Sequence, residues 1–146
     1  MAFGKIAVTI ASVTLGVLFV FKGAVKLFPE VNEEIYQDFV MRFGRYSPVF
    51  PLADLTGFRP PPDLYRQFVA WTELIAAPML ILFGGTLGTL ANVTLFGVMF
   101  GGVFTHVTLG DPVYMYAQEL ALLIVLGCLF MLRRLEASKA AKEKDQ

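Results

Sequence analysis

The sequence predicts an all-α integral membrane protein: a bundle of four transmembrane helices with a short amphipathic helix in its first loop. Of its 146 residues, 56% are hydrophobic and only 16% are charged, whereas soluble domains are about 45–50% apolar and about 25% charged. Crossing a bilayer takes about 20 apolar residues. Runs of that length cover 6–28, 67–87, 90–109 and 113–132. We therefore predict a transmembrane domain over 1–134 and a charged cytosolic tail over 135–146.

The first run differs from a secretory signal peptide, although Lys5 precedes it. A signal has an apolar core of about 7–15 residues and ends at a small-residue cleavage site. Here Lys22, Lys26 and Pro29 follow the apolar stretch instead. We expect this segment to stay in the mature protein as its first helix.

The distribution of charge predicts that both termini face the cytosol. Basic residues near the ends of spans favour the cytoplasmic side, and the tail contains Arg133, Arg134 and three lysines. Four spans place both ends on one side, in agreement with Lys5. The arginines of the first loop favour the opposite orientation.

The loop after the first span is predicted to contain an amphipathic helix that lies in the membrane interface. In NEEIYQDFVMRFG, Ile35, Phe39 and Phe43 are spaced four residues apart, which places them on one helical face. Asn32 is a suitable N-cap, and the two glutamates after it favour a helix start. A basic or acidic amphipathic helix of this kind is typical of a membrane surface.

Glycine and proline predict the remaining connections. The second and third spans should join at a short turn around Gly84, Gly85 and Gly88. Between the third and fourth spans, Gly110 permits a turn and Pro112 can start a helix. The segment after Arg134 is charged, and we expect it to be frayed.

Five ionisable residues fall within the predicted spans, where charge is costly and usually paired or turned inward. Their predicted depths match, toward the non-cytoplasmic half, so we expect one internal polar cluster. Two interpretations stay open: a structural salt-bridge cluster, or the lining of a pocket for a ligand, a proton or a partner helix. The five residues are Lys22, Lys26, Glu73, His106 and Glu119.

Several classes of chemistry find no support in the sequence. Cys128 and His106 are each the only residue of their type, which argues against a dithiol site and against metal ligation. No nucleophile–base pattern, phosphate loop or nucleic-acid patch is present. We predict no enzyme activity, no cofactor and no nucleic-acid partner. Asn92-Val-Thr94 is a glycosylation sequon, which the predicted topology places on the cytosolic side, unmodified.

Small residues at a spacing of four mark close helix contacts. Gly97 and Gly101 form such a step in the third span, and Ser12 and Gly16 form one in the first. The first interpretation is packing within the chain, and the alternative is a homodimer interface.

Three stretches resemble the NACHO family, the novel acetylcholine receptor chaperones, which are grouped with the DoxX-like membrane proteins. They are TIASVTLGVLFVFKGAVKLFP, VAWTELIAAPMLIL with its glutamate, and FTHVTLGDPVYMYAQELALLIVLGCLFMLRR. In the last, His is followed by Gly-Asp-Pro and then Tyr-Ala. The segment FPLADLTGFRPPPDLY is more similar to a sister branch of the family.

The resemblance implies a multi-pass endoplasmic reticulum protein that assists assembly of nicotinic acetylcholine receptors and related pentameric channels. The positions that match the family are Lys26, Glu73, His106, Gly110, Asp111 and Pro112. Lys22 and Glu119 depart from its pattern together, which suggests that they pair with each other. Lys142 and Lys144 match a Lys-x-Lys-x-x retrieval signal, an address that works on a cytosolic tail.

Three functions are therefore weighed. The first is a chaperone that contacts receptor subunits through Gly97, Gly101 and the corner from His106 to Pro112, with membrane lipid around it. The second is a DoxX-like enzyme or accessory subunit that binds a quinone, a sterol or another lipid in the bundle. The third is a structural or interaction subunit.

Overall fold

The structure, a computed structural model, describes residues 2–145. Met1 and Gln146, at the outer ends of the predicted domain and tail, lie outside the described residues. The helices are α1 (Ala2–Leu27), α2 (Glu33–Tyr46), α3 (Ala53–Thr56), α4 (Pro62–Leu82), α5 (Gly85–Thr108) and α6 (Ala117–Lys144). The described residues contain no strand, and the all-α prediction is confirmed.

The four long helices pack in a closed order around a common core. Helix α1 packs against α4, α4 against α5, α5 against α6, and α6 returns to α1. The core consists of apolar side chains from all four, including Leu15, Phe19, Leu80, Leu95 and Leu126. Two of these helices, α1 and α5, are long and apolar enough to cross a membrane by length and composition, with mean hydropathies of 2.0 and 1.6.

The ends of α4 differ from the predicted second span. The helix begins at Pro62, before the predicted start at residue 67, because proline fits the first helical turn, where its missing N–H is not needed. It ends at Leu82, because Phe83 and Gly84 are extended. Helix α5 starts at Gly85, so Gly88 belongs to the helix, and the predicted turn there was too long.

The corner between α5 and α6 is a glycine-capped helix end. Gly110 has a φ of 72°, a conformation that side chains disfavour, and the N–H of Asp111 donates to the carbonyl of His106 over 3.0 Å, as in a Schellman motif. Pro112 does not start α6, contrary to the prediction. A 3-10 turn over Val113–Met115 intervenes, and α6 begins at Ala117.

Helix α6 extends well beyond the predicted fourth span. It continues to Lys144, so the segment predicted to be frayed is helical. An i,i+3 ion pair between Lys139 Nζ and Glu136 Oε1, 3.0 Å long, supports the extension.

Close helix contacts form at only one of the two predicted pairs of small residues. A Cβ added at Gly16 would lie 2.2 Å from the Ile81 side chain, so α1 approaches α4 closely there. At Gly97 and Gly101 an added Cβ would meet no atom within 4 Å. The interpretation that these two glycines pack within the chain was therefore wrong, because they face away from the bundle.

Asn92 joins α5 to α6 from within the core. Its side chain is fully buried. With its amide oriented to satisfy both atoms, the Asn92 amide donates to the Leu126 carbonyl over 3.0 Å and accepts from the Phe130 N–H over 3.3 Å. The side chain thus bonds to a backbone turn of α6, which fixes the register of the two helices.

Candidate functional site

The predicted amphipathic helix is present as α2, and it covers one end of the bundle. Asn32 caps it by accepting a hydrogen bond from the Ile35 N–H over 3.0 Å. Its inner face continues one step beyond the predicted stripe, from Phe39 and Phe43 to Tyr46. These three aromatic rings lie against α1, α4 and α5 and close the polar interior from outside.

Beneath α2 lies a cavity of about 60 Å³. The structure brings all five ionisable residues of the predicted spans to its walls, from α1, α4, α5 and α6. They are Lys22, Lys26, Glu73, His106 and Glu119. A cavity of this size has room for a few water molecules, since one water needs roughly 10–15 Å³ of such space.

Lys26 and Glu73 form a buried ion pair between α1 and α4. Lys26 Nζ lies 2.6 Å from Glu73 Oε2, and the two side chains are 4% and 0% exposed. Lys26 Nζ also donates to the carbonyl of Lys22 over 3.1 Å and lies 4.6 Å from the centre of the Phe39 ring. The ammonium is thus satisfied on several sides, as a charge in a low-dielectric interior must be.

The predicted pair of Lys22 and Glu119 does not form. No salt bridge joins them within residues 2–145, although both line the cavity. Lys22 is buried, and Glu73 Oε1, also buried, has no hydrogen-bond partner in the described chain. The cavity therefore presents both a cationic donor and an anionic acceptor.

A chain of polar contacts runs from the cavity to the surface through His106. Tyr46 Oη lies 2.9 Å from His106 Nε2, His106 Nδ1 lies 2.8 Å from Asp111 Oδ2, and Arg45 Nη2 donates to Asp111 Oδ1 over 2.8 Å. A carboxylate only accepts hydrogen bonds, so Nδ1 carries a proton and donates to Asp111; in a neutral imidazole, Nε2 then accepts from the Tyr46 hydroxyl. The Tyr116 ring stacks on the imidazole at 5.5 Å.

The electrostatics of this chain favour that arrangement. Hydrogen bonds from Arg45 and then His106 lower the pKa of the Asp111 carboxyl, which keeps it an acceptor. Burial raises the pKa of the Tyr46 phenol, which keeps it a donor. The chain links α2 to the α5–α6 corner by charge-assisted bonds, which are stronger than neutral ones.

Arg66 is a structural residue of the site that the sequence analysis missed. Its side chain is buried and donates to the carbonyl of Lys26, pairs with Asp63 at 3.2 Å and lies 4.8 Å from the centre of the Tyr36 ring. It thus connects α1, α2 and α4. Its position seven residues, about two turns, before Glu73 on the same side of α4 was the available signal.

The site offers hydrogen bonds and charge, and no arrangement for metal. Within residues 2–145, no group of three His, Cys, Asp or Glu side chains is placed to hold a metal ion. His106, which was weighed and set aside as a metal ligand, has both nitrogens engaged by Tyr46 and Asp111.

Known proteins resemble the chain along nearly its full length. It is 27% identical to the novel acetylcholine receptor chaperone of Bos taurus over 140 residues, which cover 96% of this chain and 78% of the bovine protein. The proteins of that name from Mus musculus and Xenopus tropicalis are 27% and 29% identical over 95% and 88% of this chain, and the matches cover 82% and 78% of those proteins.

The resemblance predicted from the sequence is confirmed. The matches to the novel acetylcholine receptor chaperones cover 88–96% of this chain. No protein-family model matches the sequence, and the DoxX-like grouping stays a prediction.

Proposed function

We propose that the protein is a membrane chaperone of the endoplasmic reticulum that promotes folding and assembly of nicotinic acetylcholine receptors or related pentameric channels. The observation that carries the proposal is similarity to proteins called novel acetylcholine receptor chaperone over as much as 96% of the chain. Receptor subunits are the partners that this function requires.

The proposal includes four membrane spans, formed by α1, α4, α5 and α6, with both termini in the cytosol. The closed packing order of these four long helices supports it. So do the apolar side chains that the helices expose, for example Phe68, Ile75 and Ile124. In water such a surface would be an aggregation hazard. Helix α2 then lies at the opposite, lumenal interface, over the polar cavity.

One substitution tests topology and residence together. Asp54→Asn creates an Asn-Leu-Thr sequon on the exposed helix α3, between α2 and α4. We expect this variant to carry a glycan that endoglycosidase H removes, because the loop is lumenal and the protein stays in the endoplasmic reticulum. An unmodified variant would contradict the proposed topology. A glycan that resists endoglycosidase H would contradict residence in the endoplasmic reticulum.

Client contact is proposed on the exposed face of α5. Lipid supplies no hydrophobic drive between helices, so association relies on close packing and hydrogen bonds. Gly97 and Gly101 face open space, and Phe100 and Phe104 beside them are 55% and 42% exposed. A receptor helix can approach the backbone at the glycines while the rings pack on either side. A second copy of this chain is the alternative occupant.

The α5–α6 corner is proposed to act through its shape. The side chains of His106 and Asp111 are 2% and 8% exposed and contact each other at 2.8 Å, so they position the turn and do not touch a client. Gly110 and Pro112 are exposed and are the part of the corner that a client can reach.

The size of the cavity favours this function over a lipid enzyme. Sites for drug-sized ligands measure about 300–1,000 Å³, and the polar cavity measures about 60 Å³. A quinone or sterol ring system does not fit among its charged residues.

The test is co-expression with nicotinic receptor subunits, followed by a count of surface ligand-binding sites and co-immunoprecipitation of the subunits. We expect the parent chain to raise the count several-fold and Gly101→Leu to abolish most of that gain. Gly44→Leu is the matched control, because Gly44 is also an open helical glycine, on α2. A parent chain that raises no receptor at the surface refutes the chaperone proposal. Equal activity of Gly101→Leu and Gly44→Leu refutes the α5 surface.

A further inference from the structure

A second cleft lies at the end of the bundle opposite the polar cavity. It measures about 530 Å³ and is formed by the first turns of α1, the link between α4 and α5, and the later part of α6. Its polar lining includes Lys5, Thr9, Thr86, Arg133 and Arg134. The residues that line this cleft differ from those that line the polar cavity and from those of the proposed client surface.

The cleft has an excess of positive charge. Lys5, Arg133 and Arg134 form no salt bridge with any described residue. The carboxylate in the lining, Glu136, is paired with Lys139 at 3.0 Å. Glu136 also interacts electrostatically with Lys5. Three cations therefore face one carboxylate whose salt bridge is with Lys139, and the excess positive field attracts a negatively charged group.

Arg133 is held in place for binding. Its Nη2 donates to Ser12 Oγ over 2.8 Å and to the Leu80 carbonyl over 3.3 Å, while its Nε–H is buried and has no acceptor among the described residues. An arginine that is already ordered loses less conformational entropy when it binds a planar or tetrahedral oxyanion.

We propose that this cleft binds the phosphate group of an anionic phospholipid. A lipid fits better than a soluble phosphate because the candidate spanning helices α1 and α5 both begin at the cleft. Phe3, Ile6 and Leu87 lie in the same helical turns as the lining residues Lys5 and Thr86 and are 80%, 54% and 47% exposed, and such apolar surface suits acyl chains. Lys5 and Arg134 repel the choline cation of a zwitterionic headgroup and select for net negative charge.

The experiment uses full-length protein in detergent micelles, with lipid binding followed by native mass spectrometry. The probes are phosphatidylserine, phosphatidylcholine and inorganic phosphate, each titrated separately. The test variant is the double substitution Lys5→Gln with Arg134→Gln, because both side chains are exposed and neither forms a salt bridge. The charge-matched control is Arg59→Gln with Lys142→Gln, two residues that do not line the cleft.

We expect one tightly retained phosphatidylserine per chain and at least tenfold weaker binding of phosphatidylcholine. At about fivefold per cationic residue, the test variant should bind phosphatidylserine roughly 25-fold more weakly, while the control stays within about twofold of the parent. The thermal unfolding midpoint should be unchanged in the lipid-free variant, which excludes misfolding as the cause.

Three results would each overturn the assignment. Equal binding of the two lipids would show that charge does not select the ligand. Equal losses in the test variant and the control would place binding outside the cleft. Binding of inorganic phosphate as tight as that of phosphatidylserine would show that the cleft binds a free anion and not a lipid. None of these results bears on receptor assembly, so the inference stands or fails independently of the proposed function.

Discussion

Replacing Glu73 should destabilise the protein more than any exposed substitution, and a second change should rescue part of the loss. The pair it forms with Lys26 is 2.6 Å long, with side chains that are 0% and 4% exposed. Removal of one partner of a buried pair leaves an uncompensated charge and costs about 3–5 kcal/mol, whereas apolar replacement of both is often nearly neutral. We expect Glu73→Ala to lose about 3–5 kcal/mol of unfolding free energy.

The structure also predicts an asymmetry between the two partners. After Glu73→Ala, Lys22 and Lys26 both stay buried, with Glu119 as the one carboxylate that lines the cavity. After Lys26→Met, Lys22 can still neutralise Glu73 across the cavity, so the loss should be smaller, at about 2 kcal/mol. The double variant should be more stable than Glu73→Ala alone, because neither member of the pair is then left buried without its partner.

The assay is reversible unfolding in mixed micelles, followed by the fluorescence of Trp71, the single tryptophan of the chain, on the same helix as Glu73. Glu30→Ala is the control, because Glu30 is exposed and forms no salt bridge; its effect should stay within about 0.5 kcal/mol. Additive losses in the double variant would show that the two residues are not coupled, and the reasoning from the buried pair would fail.

Three further changes test the chain of contacts through the α5–α6 corner. Tyr46→Phe leaves a buried imidazole nitrogen without its donor and should cost about 1–3 kcal/mol, measured by unfolding; no loss would mean that the contact is dispensable. Gly110→Ala forces a side chain into a φ of 72° and should cost about 1–2 kcal/mol, more than the same change at Gly44. The lowered pKa of Asp111 stabilises the fold above the unfolded carboxyl pKa, and that contribution is lost as the pH falls below about 4. In Arg45→Ala, the free energy of unfolding should therefore depend less on pH than in the parent between about pH 5 and 3. A pH profile equal to that of the parent would contradict the role of this contact.

Patterns within one stretch of chain predicted the helices and the cap of α2. The apolar runs locate α1 and α5 closely, and Asn32 with the spacing of Ile35, Phe39 and Phe43 locates α2, because both signals depend on neighbouring residues. Helix ends were less predictable, since hydropathy is insensitive to whether a polar residue is helical. The charged end of α6 and the start of α4 at Pro62 were both missed for that reason.

The candidate site could be predicted in its charged members and not in its connections. The energetic cost of exposing a charge to lipid is enough to indicate that Lys26 and Glu73 face the interior of the bundle. The partner of His106 is Tyr46, far away in sequence, and only the packing of α2 on the bundle brings them together. Lys22 and Glu119 have complementary charges at similar predicted depth, but in the described residues they line the same cavity without forming a salt bridge.

The burial of Asn92 changes how the membrane topology of this protein can be mapped. A glycan on the amide that bonds to Leu126 and Phe130 would separate α5 from α6, so a chain that received one could not fold, whichever side of the membrane the sequon faced. An unmodified Asn92 in the folded protein would therefore report on helix packing and carry no information about orientation. An acceptor reports orientation only where the asparagine points away from the bundle, as at position 54.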